Sequence, residues 1–359
     1  MSDFQRLTCE EALELYENSS FHDLTGRAAE RANQLSDPGI RTYVIERNIN
    51  YTNVCSCRCS FCAFSVSPGD PKAFVLTDEQ LVEKIEPLIA LGGTQILLQG
   101  GLHPDLSFNW YEEFLGKIKQ RFGNLHIHAF SPPEINFFAK KFKMSLSEIL
   151  DRLRQAGLDT IPGGGGEILV DRVRKLVSPG KCSTEQWLEV MRQAHRLGIS
   201  TTATMMFGHL ETLPERLEHL DRLRRLQDES LQHRETDPAF GQFTAFTCWP
   251  FQAGSTRLAR SNPNIRHVGA FEQLKMTALA RLFLDNIPNI QASWVTQGPK
   301  IGQLSLLTGC NDLGSLMIEE NVVSAAGTTF RLQLDQLRRL ISNLGFQPIQ
   351  RDCYYNLLP

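Results

Sequence analysis

The stretch Asn50–Phe64, NYTNVCSCRCSFCAF, places Cys55, Cys57, Cys59 and Cys62 within eight positions, at the end of a segment rich in β-branched residues. A disulfide staple, a zinc site, an iron–sulfur cluster and a redox dithiol each ask for thiols held close together. Structural zinc takes two ligand pairs, usually a dozen or more residues apart, and no second CxxC or HxxxH stands elsewhere in the chain. Four thiols this close make a cramped tetrahedron for one zinc. A dithiol of the thioredoxin kind fits Cys59 and Cys62 and leaves Cys55 idle. The five remaining cysteines, Cys9, Cys182, Cys248, Cys310 and Cys353, are scattered singly through 359 residues. A secreted disulfide framework is denser and shorter, so the spacing points to a reducing cytoplasm and to thiols kept for metal or redox chemistry.

Working outward from the loop, strand-like and helix-like segments alternate. Strands are expected at 42–54, 94–99, 125–130, 158–161, 200–207, 241–246 and 290–295. Helices are expected from 78 to 91, at 109–122, 145–157, 184–197, 214–227, 267–285 and 330–345. Thr77/Gln80, Ser145/Glu148 and Ser183/Gln186 read as capping boxes. Strands joined through helices by short connections imply parallel pairing and right-handed crossovers. No dinucleotide fingerprint opens the first unit, so a complete (βα)8 barrel fits better than a doubly wound sheet. Thr8 and Glu11 cap one of the short helices of an amino-terminal extension over about 1–40. With no linker rich in Pro, Gly or Ser, residues 1–359 read as a single domain.

A net charge of −3 gives no basic stripe for nucleic acid and no attraction to an anionic membrane surface. No apolar run approaches the ~20 residues of a spanning helix. The amino terminus is polar and acidic, unlike a secretory signal.

Cys55-x3-Cys59-x2-Cys62, with the aromatic Phe61 before the last cysteine, resembles the Cx3CxΦC loop of radical S-adenosylmethionine (SAM) enzymes. The resemblance implies that Cys55, Cys59 and Cys62 each hold one iron of a [4Fe–4S] cluster, with the fourth iron open to SAM and Cys57 a spectator. It extends over nearly the whole chain. NINYTNVC, CAF, LLQGGLHPDL, SPPEI, IPGGG-EIL, TTATMMFGHLET, QASWVTQGPKIGQL and MIEENVVSAAGT resemble the dehypoxanthine futalosine cyclase family of the futalosine route to menaquinone. Aminofutalosine synthase and the deazaflavin (F0) synthase subunits are its near relatives and the rival readings; a non-catalytic Fe–S or zinc protein is the rival from another class. Membership implies removal of a ribose C4′ hydrogen by an adenosyl radical, addition of the carbon radical to a benzoate ring, and loss of an electron and a proton. It also implies a small-molecule substrate and a flavodoxin- or ferredoxin-type electron donor. The family's Ile-Pro-Trp-Thr-Phe-Gln-Pro type run is replaced here by Thr247-Cys-Trp-Pro-Phe-Gln-Ala253.

For the cofactor, the resemblance nominates Phe61, Gln99, Gly100, Gly101, Glu134 and Glu167, which follow the early strands; loop packing is the plain alternative for the two acids. Gly163–Gly166 is either a tight strand-to-helix turn or backbone brought close to a ligand. His209 and Glu211, after the fifth strand, are candidates for the late proton loss. Substrate contacts are expected from His103, Trp249, Gln291, Ser293, Trp294 and Gln297, with Lys300 pairing the carboxylate. His126 and His128 are expected to point to opposite sides of their strand.

Overall fold

A computed structural model describes residues 5–359. Residues 1–4, part of the stretch read as lacking a secretory signal, lie outside the described residues. Among the described residues nine strands are present: β1 Ile40–Val44, β2 Glu46–Asn50, β3 Gln95–Gln99, β4 His126–Ala129, β5 Thr201–Phe207, β6 Phe243–Pro250, β7 Asn289–Gln291, β8 Asp312–Ser315 and β9 Gln347–Gln350. All ladder pairings are parallel.

The expected first strand is broken at Ile45. Its lower half, β1, pairs with β8, and its upper half, β2, pairs with β3. β4 reaches β5 through two bridges, His128–Thr160 and Ile161–Thr201, so the segment expected as a strand at 158–161 supplies a fourth position of minimal length. The ring is therefore β1/β2, β3, β4, 160–161, β5, β6, β7, β8 and back to β1. It is a closed eight-position barrel. β9 adds beside β1 on the side away from β8, at the amino-terminal end of the barrel.

Local chemistry sets the helix boundaries largely as the sequence suggests. Thr77/Gln80 and Ser183/Gln186 form complete capping boxes ahead of Asp78–Ala90 and Thr184–Arg196. Ser145 accepts from the Glu148 amide 3.1 Å away, but Glu148 does not return the bond. The helix expected to stop at 227 continues to Arg234. The segment expected as a strand at 290–295 keeps only Asn289–Gln291 extended. A helical turn, Trp294–Gln297, follows, with Ser293 Oγ 2.7 Å from Thr296 Oγ1.

The amino-terminal extension is two helices, Cys9–Asn18 and Phe21–Leu35. The second buries Leu24 and Ala28 against Ala278 and Leu282 of helix Ala270–Phe283. Among the described residues no helix is long and apolar enough to cross a membrane.

Candidate active site

The barrel is hollow. A cavity of about 440 Å³ runs from the cysteine loop, above the carboxyl end of β2, down to Arg351, Cys353 and Tyr355. Its wall takes alternate residues of three strands: Glu46, Asn48 and Asn50 from β2, Gln95, Leu97 and Gln99 from β3, Thr202, Thr204 and Met206 from β5. A filled barrel would carry branched aliphatic side chains at such positions. Polar ones keep the interior open and solvated, at a volume suited to small molecules.

All four loop thiols reach this cavity, with Phe61. The loop is fastened to the end of β3: the Ser56 amide donates to Leu102 O at 3.0 Å, and the Gly101 amide donates to Thr52 O at 3.0 Å. Cys57, read as a spectator, is 7% exposed and its Sγ lies 3.5 Å from that of Cys59. That contact draws the Cys57 thiol down and, with burial, pushes Cys59 well up. Burial raises Cys55. Among the described residues no three Cys, His, Asp or Glu groups converge on a point as a single ion requires. A cubane takes each thiolate at a different corner, so three thiols spread round one cavity wall suit a cluster better than a mononuclear zinc.

Gln99, Gly100, Gly101, Glu134 and Glu167 also line the cavity. Glu134 is fully engaged. One carboxylate oxygen accepts from Tyr51 OH (2.7 Å) and the Gly100 amide (3.1 Å), the other from the Ser131 amide (2.8 Å) and hydroxyl (2.6 Å). Burial raises its pKa while those four bonds oppose the rise. It opens a helix, Pro132–Phe142, which the sequence reading missed. Glu167 differs: Oε1 takes the Lys181 ammonium at 2.7 Å, and Oε2 is buried with no hydrogen-bond partner. The glycine run beside it packs against the barrel. A Cβ on Gly163 would stand 2.6 Å from Thr202 O, and one on Gly165 2.3 Å from Pro133. Close packing therefore requires the glycines, and Gly163–Gly165 still face the cavity.

Of the expected substrate contacts, Trp249, Gln291, Ser293 and Trp294 line the cavity. Trp294 is 1% exposed and donates from Nε1 to Ser315 O at 2.9 Å, so it is core and wall together. Gln291 donates to Tyr355 OH at 2.8 Å.

Three others, His103, Gln297 and Lys300, lie outside the cavity lining. His103 caps its own loop, its Nδ1 accepting from the Asp105 amide. Gln297 ends the helical turn after β7, and Lys300 is exposed on the next helix. His209 and Glu211 are likewise withdrawn from the cavity. Glu211 accepts from the amides of Gly208 and His209 and pairs with Arg216 at 2.9 Å, while His209 Nε2 bonds Met206 O. Burial lowers the His209 pKa; Glu211, although buried, is held low by His209 and Arg216. The pair ties down the loop after β5.

His126 and His128 do not diverge, since residues two apart share a strand face. Both reach Thr160 Oγ1 at 2.7 Å, and His128 lines the cavity, its pKa lowered to about 3 by burial.

Sequence reasoning missed the floor. Arg351, Cys353 and Tyr355 close the cavity from below. Arg351 grips Asp312 through Nε (2.6 Å) and Nη2 (3.2 Å) and lies over the Tyr355 ring at 3.9 Å. A strand signal at Gln347–Gln350 would have found this tail, but Gln and Pro there hide it.

A hollow parallel barrel with a three-thiol loop above its first strand defines a radical SAM enzyme, and the chain belongs to the radical SAM superfamily, whose model matches residues 49–223. Its cofactors are a [4Fe–4S] cluster and S-adenosylmethionine, and Cys55, Cys59 and Cys62 fit the cluster motif. Residues 240–359 match the model described as the CofH/MqnC C-terminal region.

A cyclic dehypoxanthine futalosine synthase of Halalkalibacterium halodurans is 44% identical over 99% of this chain and 92% of its own length. A 5-amino-6-(D-ribitylamino)uracil–L-tyrosine 4-hydroxyphenyl transferase of Methanopyrus kandleri is 39% identical over 88% of this chain and 83% of its own. The crystal structure of methylornithine synthase (PylB) superposes with a TM-score of 0.72 at 17% identity, over 96% of this chain and 94% of that one, a likeness of fold.

Proposed function

We propose that the enzyme converts dehypoxanthine futalosine to its cyclic form, joining ribose C4′ to the benzoate ring within one molecule, in menaquinone biosynthesis. The observation that carries the reading is the cavity itself, with thiols at its mouth and Trp249 and Trp294 in its wall, a lining for a flat aromatic ring. The similarity to the futalosine synthase supports it.

When bound, cluster and cofactor supply a 5′-deoxyadenosyl radical. The chain's part is to hold, orient and seal. Cys55, Cys59 and Cys62 hold iron; Phe61, Gln99, Gly100, Gly101 and Glu167 border the cofactor; Trp249, Gln291, Ser293 and Trp294 position the substrate. A primary radical attacks whichever C–H bond stands nearest, so placement decides selectivity. Phe251 and the carboxyl-terminal tail close the cavity against water.

The electron donor in this reading is a flavodoxin- or ferredoxin-type protein meeting the exposed face of the cluster loop. Arg58 and Arg257 are exposed there, the Arg257 guanidinium donating to Arg58 O. Nine cysteines, all free, suit a reducing cytoplasm. The ring of strands, closed only through β8 and floored by residues 351–355, supports one domain over the whole chain.

The test is anaerobic turnover of dehypoxanthine futalosine deuterated at C4′. Label in 5′-deoxyadenosine and a cyclised product by mass are expected. Consumption of tyrosine or of an aminodeoxyfutalosine precursor, with no label transfer, would replace this reading with one of its rivals.

A further inference from the structure

Lys181 has no role in the reading above, yet its position is unusual. It lies between helix Asp171–Val177 and helix Thr184–Arg196, on a segment pressed against the cluster loop: a Cβ on its neighbour Gly180 would stand 2.9 Å from Cys57 O. Its ammonium is 2.7 Å from Glu167 Oε1 and 5.0 Å from the centre of the Phe61 ring, within the loop itself. Burial disfavours the ammonium, and the Glu167 carboxylate beside it opposes that.

Glu167 shows what that grip achieves. Its φ of 38° is left-handed, a conformation a non-glycine residue holds only when its surroundings impose it. With Oε1 taken, Oε2 is left buried and unpartnered. Arg174 Nη1 lies 3.7 Å from it, but that guanidinium is spent on the carbonyls of Gly165, Gly166 and Cys182. A buried carboxylate oxygen without a donor is costly unless a ligand supplies one.

We propose that Lys181 is a positioning residue of the cofactor site: it turns Glu167 so that one oxygen stays open to a hydroxyl or ammonium donor of S-adenosylmethionine, and it sets a fixed positive charge beside the cluster. The charge favours the reduced cluster, which is the more negative form. The inference concerns the cofactor side alone, so its failure leaves the substrate reading standing.

The test uses the reconstituted, anaerobic full-length protein. The cluster midpoint potential is read without S-adenosylmethionine, and cofactor affinity is read by equilibrium binding. Lys181→Met is expected to lower the midpoint and weaken cofactor binding about tenfold or more, the loss of a charge-assisted hydrogen bond. Lys181→Arg keeps the charge and so keeps the midpoint, while weakening binding through a misplaced Glu167. Glu167→Gln moves the midpoint the opposite way, upward, and weakens binding as well. A plain structural staple would change the melting temperature and leave the midpoint alone. An unchanged midpoint in Lys181→Met, or a shift in the same direction as Glu167→Gln, overturns the proposal. Should Lys181→Met fail to take up iron, a Glu167→Gln protein with unshifted midpoint and unchanged affinity does the same.

Discussion

Gly101→Ala tests how the cluster loop is held. A Cβ on Gly101 would stand 2.1 Å from Val54 O, 2.7 Å from Val54 C and 2.9 Å from the Cβ of Cys55, whereas ordinary contact begins near 3.4 Å. The offending atoms are backbone and the first carbon of an iron ligand, so no flexible side chain can swing aside. The loop must move by more than an ångström. Doing so strains or breaks the Gly101–Thr52 and Ser56–Leu102 hydrogen bonds that fix its level. Overpacking and two weakened bonds together amount to about 2–4 kcal/mol. The larger consequence is local, because a displaced Cys55 no longer shares a cluster with Cys59 and Cys62. Gly116→Ala is the matched control. It lies in helix Phe108–Arg121 with nothing within 4 Å of its Cβ, and should gain up to ~1 kcal/mol in helix propensity. Chemical denaturation of the iron-free protein and iron per chain after reconstitution read the two effects. A Gly101→Ala protein with the parent's stability and full iron would refute this account of the loop.

Alanine at Cys55, Cys59 or Cys62 should abolish iron–sulfur absorbance after reconstitution, while Cys57→Ala should keep it; a colourless Cys57→Ala protein would make that buried thiol a ligand. Acid should destabilise the protein steeply. His128, His195 and His219 are buried with pKa values of about 3, so the unfolded chain binds more protons below its own pKa near 6.5. Each contributes stability that is present above pH 6.5 and lost towards pH 3, about 1.4 kcal/mol per pH unit. His219→Gln, which still offers an acceptor to the Leu169 amide, should flatten the slope by that amount; denaturant midpoints from pH 5 to 7 that fall in parallel with the parent's would refute the assignment.

Much of the barrel was legible because its signals are local. Thr77, Ser107, Ser145 and Ser183 accept from the amides that open their helices, and the apolar run of β3 is short and uninterrupted. What escaped was decided by distant partners. Glu134 reads as a loop acid until Tyr51, Gly100 and Ser131 are seen around it. Lys300 and His209 sit beside suggestive motifs, but spacing along the chain cannot say which side of a wall a side chain occupies. The run 158–161 is expected as a strand, yet β-bridges form only at Thr160 and Ile161, and Asp159 spends its side chain on the Ile127 amide. The reading of His126 and His128 failed on geometry, since two residues along a strand return to the same face.

The floor explains why the last third of the chain belongs with the cluster-bearing half. A barrel hollow enough for small molecules gives up the aliphatic layers that normally fill it, and its inward polar groups then need partners. Glu46 takes the Gln95 amide at 2.5 Å, and burial raises its pKa all the same. Asp312 takes Arg351, the Thr42 hydroxyl at 2.6 Å and the Gly314 amide at 2.7 Å. Arg351 arrives on the tail after β9, which lies against β1, the half-strand left without a β3 partner when the first strand breaks at Ile45. The break thus does two things at once. It lets β2 lean onto β3 and carry the cysteine loop at the mouth, and it opens an edge on which the carboxyl terminus docks to stopper the base. The tail therefore leaves the mouth, under the cluster loop, as the way in.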